Sequence, residues 1–506
     1  MQRKWFEASV FTEFICIFVV VNIEYKILQT MYKVTNIFSE IASFFQKSSK
    51  ISAIDAISGV MKNVKLNLRP LGFEKPKHNC LYPALCILQL LLMFPSFSVA
   101  NPANYTDSPL FKLVSCHKDV FYDFLNNGRT MWRKIMYYIN CQLWTKIVVR
   151  ADHKKRDLPV VLIFDDTDII KASSAIEMVS KIFSHVTGSS HWGYKGLFCC
   201  LSDGISQLLM DFSLCREYKD ADFGLNRRQA ARQYKSADGE DAEIASRKKE
   251  CVMSKIELMK EMIKRCVKYG IHFEYVLCDS WFTCKEIVNF VRAMHGKHYL
   301  GMIKMSKTQY AYNGKMLTAN TLASRLWKAE KKHHRMYGYT YMVADVMLDD
   351  KPVRIFFSRK NRQDKRRAYL TTNMKLDFHQ AFRIYSMRWA IEVCNKEEKG
   401  LLGMDKCQSR HFAAQIAHVS IACLQYNILS VAKRFSDYET IGELFRGTKD
   451  DAMEVAIAQR ILEFIIEIAA ELEEICGCDT DRLIANLINK PDGKAPFVKM
   501  YEKLIV

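Results

Sequence analysis

Four side chains in the segment 377–403, DFHQAFRIYSMRWAIEVCNKEEKGLLG, have the types and spacing of a phosphate-handling site: Tyr385, Arg388, Glu392 and Lys399. At roughly 100° per residue they fall within about 60° of one another on a helical wheel. A carboxylate can ligate a hard cation, a guanidinium and an ammonium can hold phosphates, and a phenol can hydrogen-bond one. A second stripe, Ile384, Met387, Ile391 and Cys394, is the natural core face. Taken alone, Arg388 and Glu392 would equally be a solvated i,i+4 pair. Two more carboxylates far upstream give them company. Asp165 follows the apolar run Pro159–Phe164, and Asp279 follows the apolar run Phe273–Cys278. Each aspartate alone can equally be a turn former or helix cap.

The elements that must position these residues follow from period and punctuation. Asp377 is a cap, Gln380 completes a capping box and Gly400 marks an end, which predicts one helix over the whole segment. Residues 159–165 suit a strand buried on both faces. Tyr194–Ser202 and Ile205–Cys215 read as strands joined by Asp203-Gly204, a hairpin signal. The polar stretch 217–242 reads as a loop. A helix then carries Ile256, Met259, Ile263 and Cys266 inward and stops at Gly270; another strand ends at Asp279, and a helix starts near Thr283. Three strands with a hairpin, then helix, strand and helix, predict an α/β, ribonuclease-H-like layer. Its first and fourth strands each end in an aspartate, and adjacent buried strands would bring Asp165 and Asp279 together at the sheet's edge.

Between Asp279 and Glu392 the chain is too long for a simple crossover. Asn313-Gly314 signals a hairpin, and Tyr339–Leu348, Val353–Phe357 and Ala368–Thr372 are strand-like, so 301–372 reads as a β-rich insertion. It is basic: residues 351–367 hold eight Lys/Arg against the single Asp364, with Lys328, Lys331, Lys332 and Arg335 nearby. Such a run is either solvated surface or, between two catalytic candidates, a track for a phosphate backbone. Residues 31–150 read as helical, and the pair around Asn126-Asn127-Gly128 is either a DNA-binding helix pair or part of a bundle. Beyond 403, Phe412–Ala432 and Ala452–Ile475 are long apolar-periodic helices whose default role is packing or self-association.

Composition bounds the class. A chain of 506 residues, 49% hydrophobic, builds two to four domains with real cores. Lys+Arg 74 against Asp+Glu 55 leaves +19, which favours a polyanionic partner. The 17 cysteines lack a disulfide framework's spacing, and Cys476-Gly477-Cys478 stands alone, so neither a disulfide scaffold nor structural zinc is expected. The run 9–22 is short, carries Glu13 and lacks a cleavage site, and residues 1–30 read as an apolar extension ahead of Met31. The run 81–94 is too short to span a bilayer and reads as a buried helix. A membrane-associated helical protein built on these two runs would leave the second half of the chain unexplained.

Tyr385-x2-Arg388-x3-Glu392-x6-Lys399 resembles the Tyr-Arg-Glu-Lys signature of DDE-type insertion-sequence transposases in the insertion sequence four group, and it is specific. Asp165-Asp166-Thr167 looks like that group's first motif and Val276-Leu277-Cys278-Asp279-Ser280-Trp281-Phe282 its second. Gln408-Ser409-Arg410 and the β-rich insertion also look similar. The resemblance covers roughly 155–430. It implies a ribonuclease-H-like catalytic core over 155–300 and 373–430 with the insertion at 301–372, flanked by helical regions at 31–150 and 431–506.

The function implied is a DNA transposase that binds terminal inverted repeats, cleaves the ends and joins the freed 3′ ends to target DNA. Asp165, Asp279 and Glu392 would be catalytic and hold two Mg²⁺ ions (Mn²⁺ substituting), Asp165 bridging both. Such a pair activates the attacking oxygen and stabilises the leaving one. Asp166 and Asp168 compete with Asp165, which directly follows the strand and has Thr167 two residues on. Arg388 and Lys399 would hold phosphates, Tyr385 would hydrogen-bond one, and Trp389 would stack on a displaced base or else be core. His191 reads as structural. Double-stranded DNA, a second copy of the chain on paired ends, no stable membrane association and a bacterial, nucleoid-associated cytoplasmic setting complete the expectation. The alternative is an idle or repurposed relative that binds DNA without cutting it.

Overall fold

The computed structural model describes residues 82–450, apart from 83, 109, 150–157, 218–221, 237–240, 335–336 and 362. The run 9–22, the extension 1–30, the helix expected over 452–475 and Cys476-Gly477-Cys478 lie outside the described residues. The described chain is mixed α/β, with a 12-stranded sheet. Its helices begin with α1 (Ala84–Met93), α2 (Lys118–Asn126) and α3 (Trp132–Gln142). Four strands follow, β1 (Val161–Lys171), β2 (Ser180–Ser184), β3 (Ser189–Ser202) and β4 (Gln207–Cys215). Then come α4 (Ala242–Glu250), α5 (Lys255–Lys268), β5 (Tyr275–Cys278), α6 (Lys285–Arg292) and β6 (His298–Met302).

β3 runs antiparallel to β1, β5 runs parallel to β1, and β6 runs parallel to β5. On β3's other edge, β2 covers the first half and β4 the second, giving the core order β4-β3-β1-β5-β6. The strands of β1 and β5 are central and apolar, as their sequences require: Val161–Phe164 and Tyr275–Cys278 are all buried. Two expectations change here. β1 does not stop at Asp165 but continues to Lys171, because β3 has partner backbone for it along all eleven residues. And β2 is an additional strand, so Asp279 follows the fifth strand rather than the fourth.

The outer strand β4 is covered rather than exposed. The long helix α10 (Phe412–Arg434) lies against β4 and α3 with nearly every residue buried. Asn427 reaches from it to β4, accepting from Leu209 N at 2.7 Å and donating to Leu209 O at 3.0 Å. Asn140 of α3 donates to the same carbonyl at 2.8 Å. Two amides thus satisfy an edge that water or another chain would otherwise find. α10 is long and apolar enough to cross a membrane, but 94% of the relevant window is buried inside the protein. α1 is the buried helix expected from the run 81–94, and it packs on α10 and α2.

The region 301–372 is not a separate body. It contributes β7 (Gln309–Tyr312), β8 (Lys315–Thr318), α7 (Ala319–Glu330), β9 (Lys332–His334), β10 (Tyr339–Leu348), β11 (Lys351–Arg359) and β12 (Arg367–Thr371). β12 pairs antiparallel with β6, so the insertion's strands extend the core sheet in the order β6-β12-β11-β10-β7-β8. The hairpin at Asn313-Gly314 forms as its sequence demands, both residues having positive φ, 47° and 73°.

α3 is a packing helix: Trp132, Ile135, Met136, Tyr137 and Ile139 are buried, and Arg133 is engaged inward. Arg133 donates to Asp211 Oδ1 at 3.0 Å and to Glu250 Oε2 at 2.7 Å, while Arg265 donates to Asp211 Oδ2 at 2.6 Å. Burial alone would raise the Asp211 carboxyl, but the three arginines Arg133, Arg265 and Arg247 hold it far below the ordinary range. This network ties α3, α4 and α5 to β4. Asp211→Ala would leave Arg265 buried without its counter-ion and Arg133 with Glu250 alone, and is expected to lower the unfolding free energy by about 3–5 kcal/mol in urea titrations. A loss below about 1 kcal/mol would show that the network carries no structural weight.

Candidate active site

The segment 377–403 forms two helices, α8 (Phe378–Ser386) and α9 (Trp389–Leu401), not one. Asp377 caps α8 with the expected box to Gln380. The break lies at Met387-Arg388, where four N–H groups, from Met387, Arg388, Ala390 and Ile391, bond to the carbonyl three residues back. That tightening turns the chain between Tyr385 and Glu392. Gly400 is helical; the chain leaves α9 at Gly403, whose φ is +65°.

Register places the first two carboxylates. Phe164 of β1 is level with Cys278 of β5, so Asp165 and Asp279 are the next residues on neighbouring parallel strands. Burial pushes the Asp165 carboxyl up to about 7, with Asp166 and Asp279 adding to it and Arg388 opposing. Asp279 is also raised by burial, against the pull of two backbone N–H groups. Its Oδ1 accepts from Trp281 N at 2.8 Å and Phe282 N at 3.3 Å, so the aspartate is a turn former as well as a candidate ligand. That turn presents Trp281, which is 69% exposed and lies beneath the Lys304 ammonium.

Alternation along β1 separates Asp165 from its two competitors. Asp166 is ion-paired with Lys255 at the start of α5. Asp168 bonds Lys195 at 2.5 Å; burial would raise its carboxyl, but that bond brings it below the ordinary value. Both competitors therefore have a lysine of their own. Asp165 instead accepts from the Asp166 backbone N–H at 3.0 Å and sits within the field of Arg388.

The third carboxylate comes from α9. Glu392 Oε1 accepts from Arg388 Nη2 at 2.5 Å, so the i,i+4 pair exists. It is not a solvated one: the Arg388 side chain is 14% exposed. Burial works against its charge, but Tyr385, Glu392 and Asp165 raise it overall, so the guanidinium is held protonated. Its carbon lies 5.7 Å from the Tyr385 ring centroid, and Arg388 Nε and the Tyr385 hydroxyl are buried without a hydrogen-bond partner. Lys399, two turns along, donates to Thr167 Oγ1 of β1 at 2.5 Å and is lowered by burial against the pull of Asp168 and Asp405. Trp389 is 62% exposed, which removes the core alternative for it. His191 bonds Ser189 and Thr187 where β3 leaves the β2–β3 turn.

Among the described residues, no three His, Cys, Asp or Glu side chains converge as a ready cation cage. Arg388 is the common neighbour instead: it bonds Glu392 and its charge acts on Asp165 and Asp279. The donor set still fits a hard divalent ion, since two partly buried carboxylates, raised first by burial and then by the charge of Asp166 beside them, gain most from a cation. The sequence could not show which aspartate carries a lysine partner, because Lys255 and Lys195 arrive from distant elements. Nor did it single out Trp281 or Lys304.

A family model described as DDE superfamily endonuclease matches residues 84–320, and one described as Transposase DDE domain matches residues 252–428. Both support a transposase of the DDE type, with the divalent-metal chemistry such endonucleases imply. No curated protein matches. Among solved structures the chain is similar to a cryo-EM structure of piggyBac transposase in a synaptic complex with hairpin DNA. The identity is 11%, over 83% of this chain and 80% of that one, at a TM-score of 0.39.

The raised Asp165 carboxyl has a stability consequence. Its folded form binds a proton more tightly than the unfolded chain does, so its contribution is full below about pH 4 and is lost as pH rises through about 7. With a metal chelator present, wild type is expected to lose urea stability between pH 5 and pH 8 relative to Asp165→Asn, which lacks this titration. Parallel pH profiles for the two proteins would contradict the assignment.

Proposed function

We propose that this chain, along which two DDE models run from residue 84 to residue 428, is a metal-dependent DNA transposase of the insertion sequence four group. It binds the terminal inverted repeats of its element, hydrolyses the phosphodiester at the ends and transfers the 3′ ends to target DNA. The single observation that carries this reading is the level placement of Asp165 and Asp279 on parallel strands, with Arg388 joining them electrostatically to Glu392. The strand order β4-β3-β1-β5-β6, with its antiparallel hairpins and parallel β1, β5 and β6, supports a ribonuclease-H-like core.

Asp165, Asp279 and Glu392 would hold two Mg²⁺ ions, with Mn²⁺ able to substitute. The ions supply activation of the attacking oxygen and neutralisation of the leaving one. The protein's own part is positioning. The turn N–H groups of Trp281 and Phe282 hold Asp279. Arg388 is the group that can exchange partners: engaging a DNA phosphate bidentately would release Glu392 towards the cations. Lys399 is anchored on Thr167 beside β1, where a second phosphate would pass. Tyr385 offers a buried hydroxyl without an acceptor, and Trp389 an exposed ring for a displaced base. The enzyme acts as a homodimer on paired ends and works in the bacterial cytoplasm on the nucleoid.

A second reading, a relative that binds DNA without cutting it, is favoured by one observation: Glu392 is held by Arg388 rather than gathered with the aspartates. Glu392→Gln decides between them. Losing a support behind a metal ligand costs about 10–100-fold, so losing a ligand itself should cost more. Cleavage of a duplex carrying the terminal repeat in Mg²⁺ is expected to fall by more than about 100-fold, with binding retained. Equal cleavage by Glu392→Gln, or none by wild type, sinks the transposase reading.

A further inference from the structure

Residues 222–236, within the stretch whose composition reads as a loop, are fastened to the end of β1 at several points. Lys181 N, near the start of β2, donates to Phe223 O at 3.0 Å, and Tyr234 N donates to Ala175 O at 3.0 Å. Gln233 Nε2 donates to Ile176 O and Val179 O at 3.1 and 3.3 Å. The buried Glu177 closes the segment. Its Oε1 accepts from Ser236 N at 3.0 Å and is paired with Lys248 of α4, while its Oε2 accepts from Phe412 N at 3.1 Å. Between these anchors Asn226 and Gln229 form a capping box on a short helix, Arg227–Arg232.

This fixed segment carries charge that nothing on it balances. Arg227, Arg228, Arg232 and Lys235 are all exposed. The acid of residues 222–236, Asp222, is used in its own turn, accepting from Gly224 N at 3.1 Å. Among the described residues none of the four cations has an acidic partner or a side-chain hydrogen bond. Arg228 and Arg232 are four apart on the helix, a like-charge pairing that weakens it. Arginines in a first turn also add to the positive end of a helix, where an acid would offset it. Beside the segment, Arg410 is exposed and its carbonyl accepts from Glu177 N at 3.0 Å, while the His411 ring lies 4.2 Å from that of Tyr234. Guanidiniums held in place and repelling one another gain from a polyanion laid across them.

Topology sets the distance to the carboxylates. Ser180 of β2 is level with Gly193 of β3, which is level with Ile170 of β1. The segment is therefore held at the level of Ile170 and Lys171, five to six residues beyond Asp165, or roughly 20 Å at about 3.3 Å per residue. Base pairs of B-DNA rise about 3.4 Å each, so this span is about six base pairs.

We propose that Arg227, Arg228 and Arg232, with Lys235 and Arg410 beside them, form a docking surface for the backbone of duplex DNA about six base pairs from the bond that is cut. The inference rests on the transposase reading and makes it more specific: this surface holds the duplex flank of the element's end while the carboxylates act on its terminus.

The test is fluorescence anisotropy with terminal-repeat duplexes in chelator. It compares R227A/R228A/R232A with K249A/K264A/K268A, which removes the same charge from exposed lysines of α4 and α5. Each phosphate contact adds about 0.9 to the slope of log affinity against log salt, so the arginine variant should have a slope smaller by about two to three. It should bind at least about tenfold more weakly than wild type, and the lysine variant within about twofold of it. R227K/R228K/R232K, which keeps the charge, should recover most of the affinity. On a duplex reaching only about three base pairs to either side of the cut, wild type and the arginine variant should bind alike. Suppose wild type cuts the long duplex in Mg²⁺. If the arginine variant then matches the lysine variant on that duplex, or is weaker than wild type on the short one, the docking surface is overturned and the transposase reading stands. If wild type neither binds nor cuts, both fall.

Discussion

The parallel pairing of β1 with β5 is the constraint on which the rest of the site depends. Both strands are buried on both faces, so their register is set by core packing. That register leaves Asp165 and Asp279 as the first residues past the apolar pairs. The cost is two partly buried carboxylates side by side, visible in the upward displacement of both. A protein gains nothing in stability from such an arrangement. Raised carboxylates of this kind at a sheet rim make it a candidate functional site, which is what the proposed metal and DNA chemistry would use.

Arg388 is the counterweight. It sits at the tight turn between α8 and α9, bonds Glu392, lies near Tyr385 and reaches the two aspartates with its field. An unbroken helix would have placed Tyr385, Arg388 and Glu392 on one stripe. The break at Met387-Arg388 instead ends α8 against Tyr369 and starts α9 along β1. Lys399 then completes the contact by reaching Thr167. So one basic residue holds the third carboxylate and another anchors its helix, and in the proposed function the first is the partner for which DNA phosphates would compete.

Much of this was legible in the sequence where the signals are local. Asp377 with Gln380, Asn313-Gly314, Gly270 after α5 and the alternating run of β10 each name their own conformation over a few residues. The two aspartates were legible because they end apolar runs. What escaped depends on partners remote in the chain. β1 continues past Asp165 only because β3 supplies backbone opposite Asp166–Lys171. The insertion joins the core sheet through β6 and β12, which no local pattern announces. Asp166 and Asp168 lose their candidacy to lysines from α5 and β3. The bend at Met387-Arg388 carries no proline or glycine to give it away.

The surrounding framework serves these few groups. Asp211 and its arginines fasten α3, α4 and α5 to β4, and Asn427 closes that strand's edge. The rim of β1, β5 and β6 is the face on which the proposed function places the chemistry, with the strands of the insertion continuing the sheet beside it. The most direct measurement of the account is Fe²⁺-directed hydroxyl-radical cutting of the polypeptide in the presence of a terminal-repeat duplex. The account expects backbone cuts around Asp165, Asp279 and Glu392 together, all suppressed by excess Mg²⁺. Cuts confined to other segments, or none that Mg²⁺ suppresses, would contradict it.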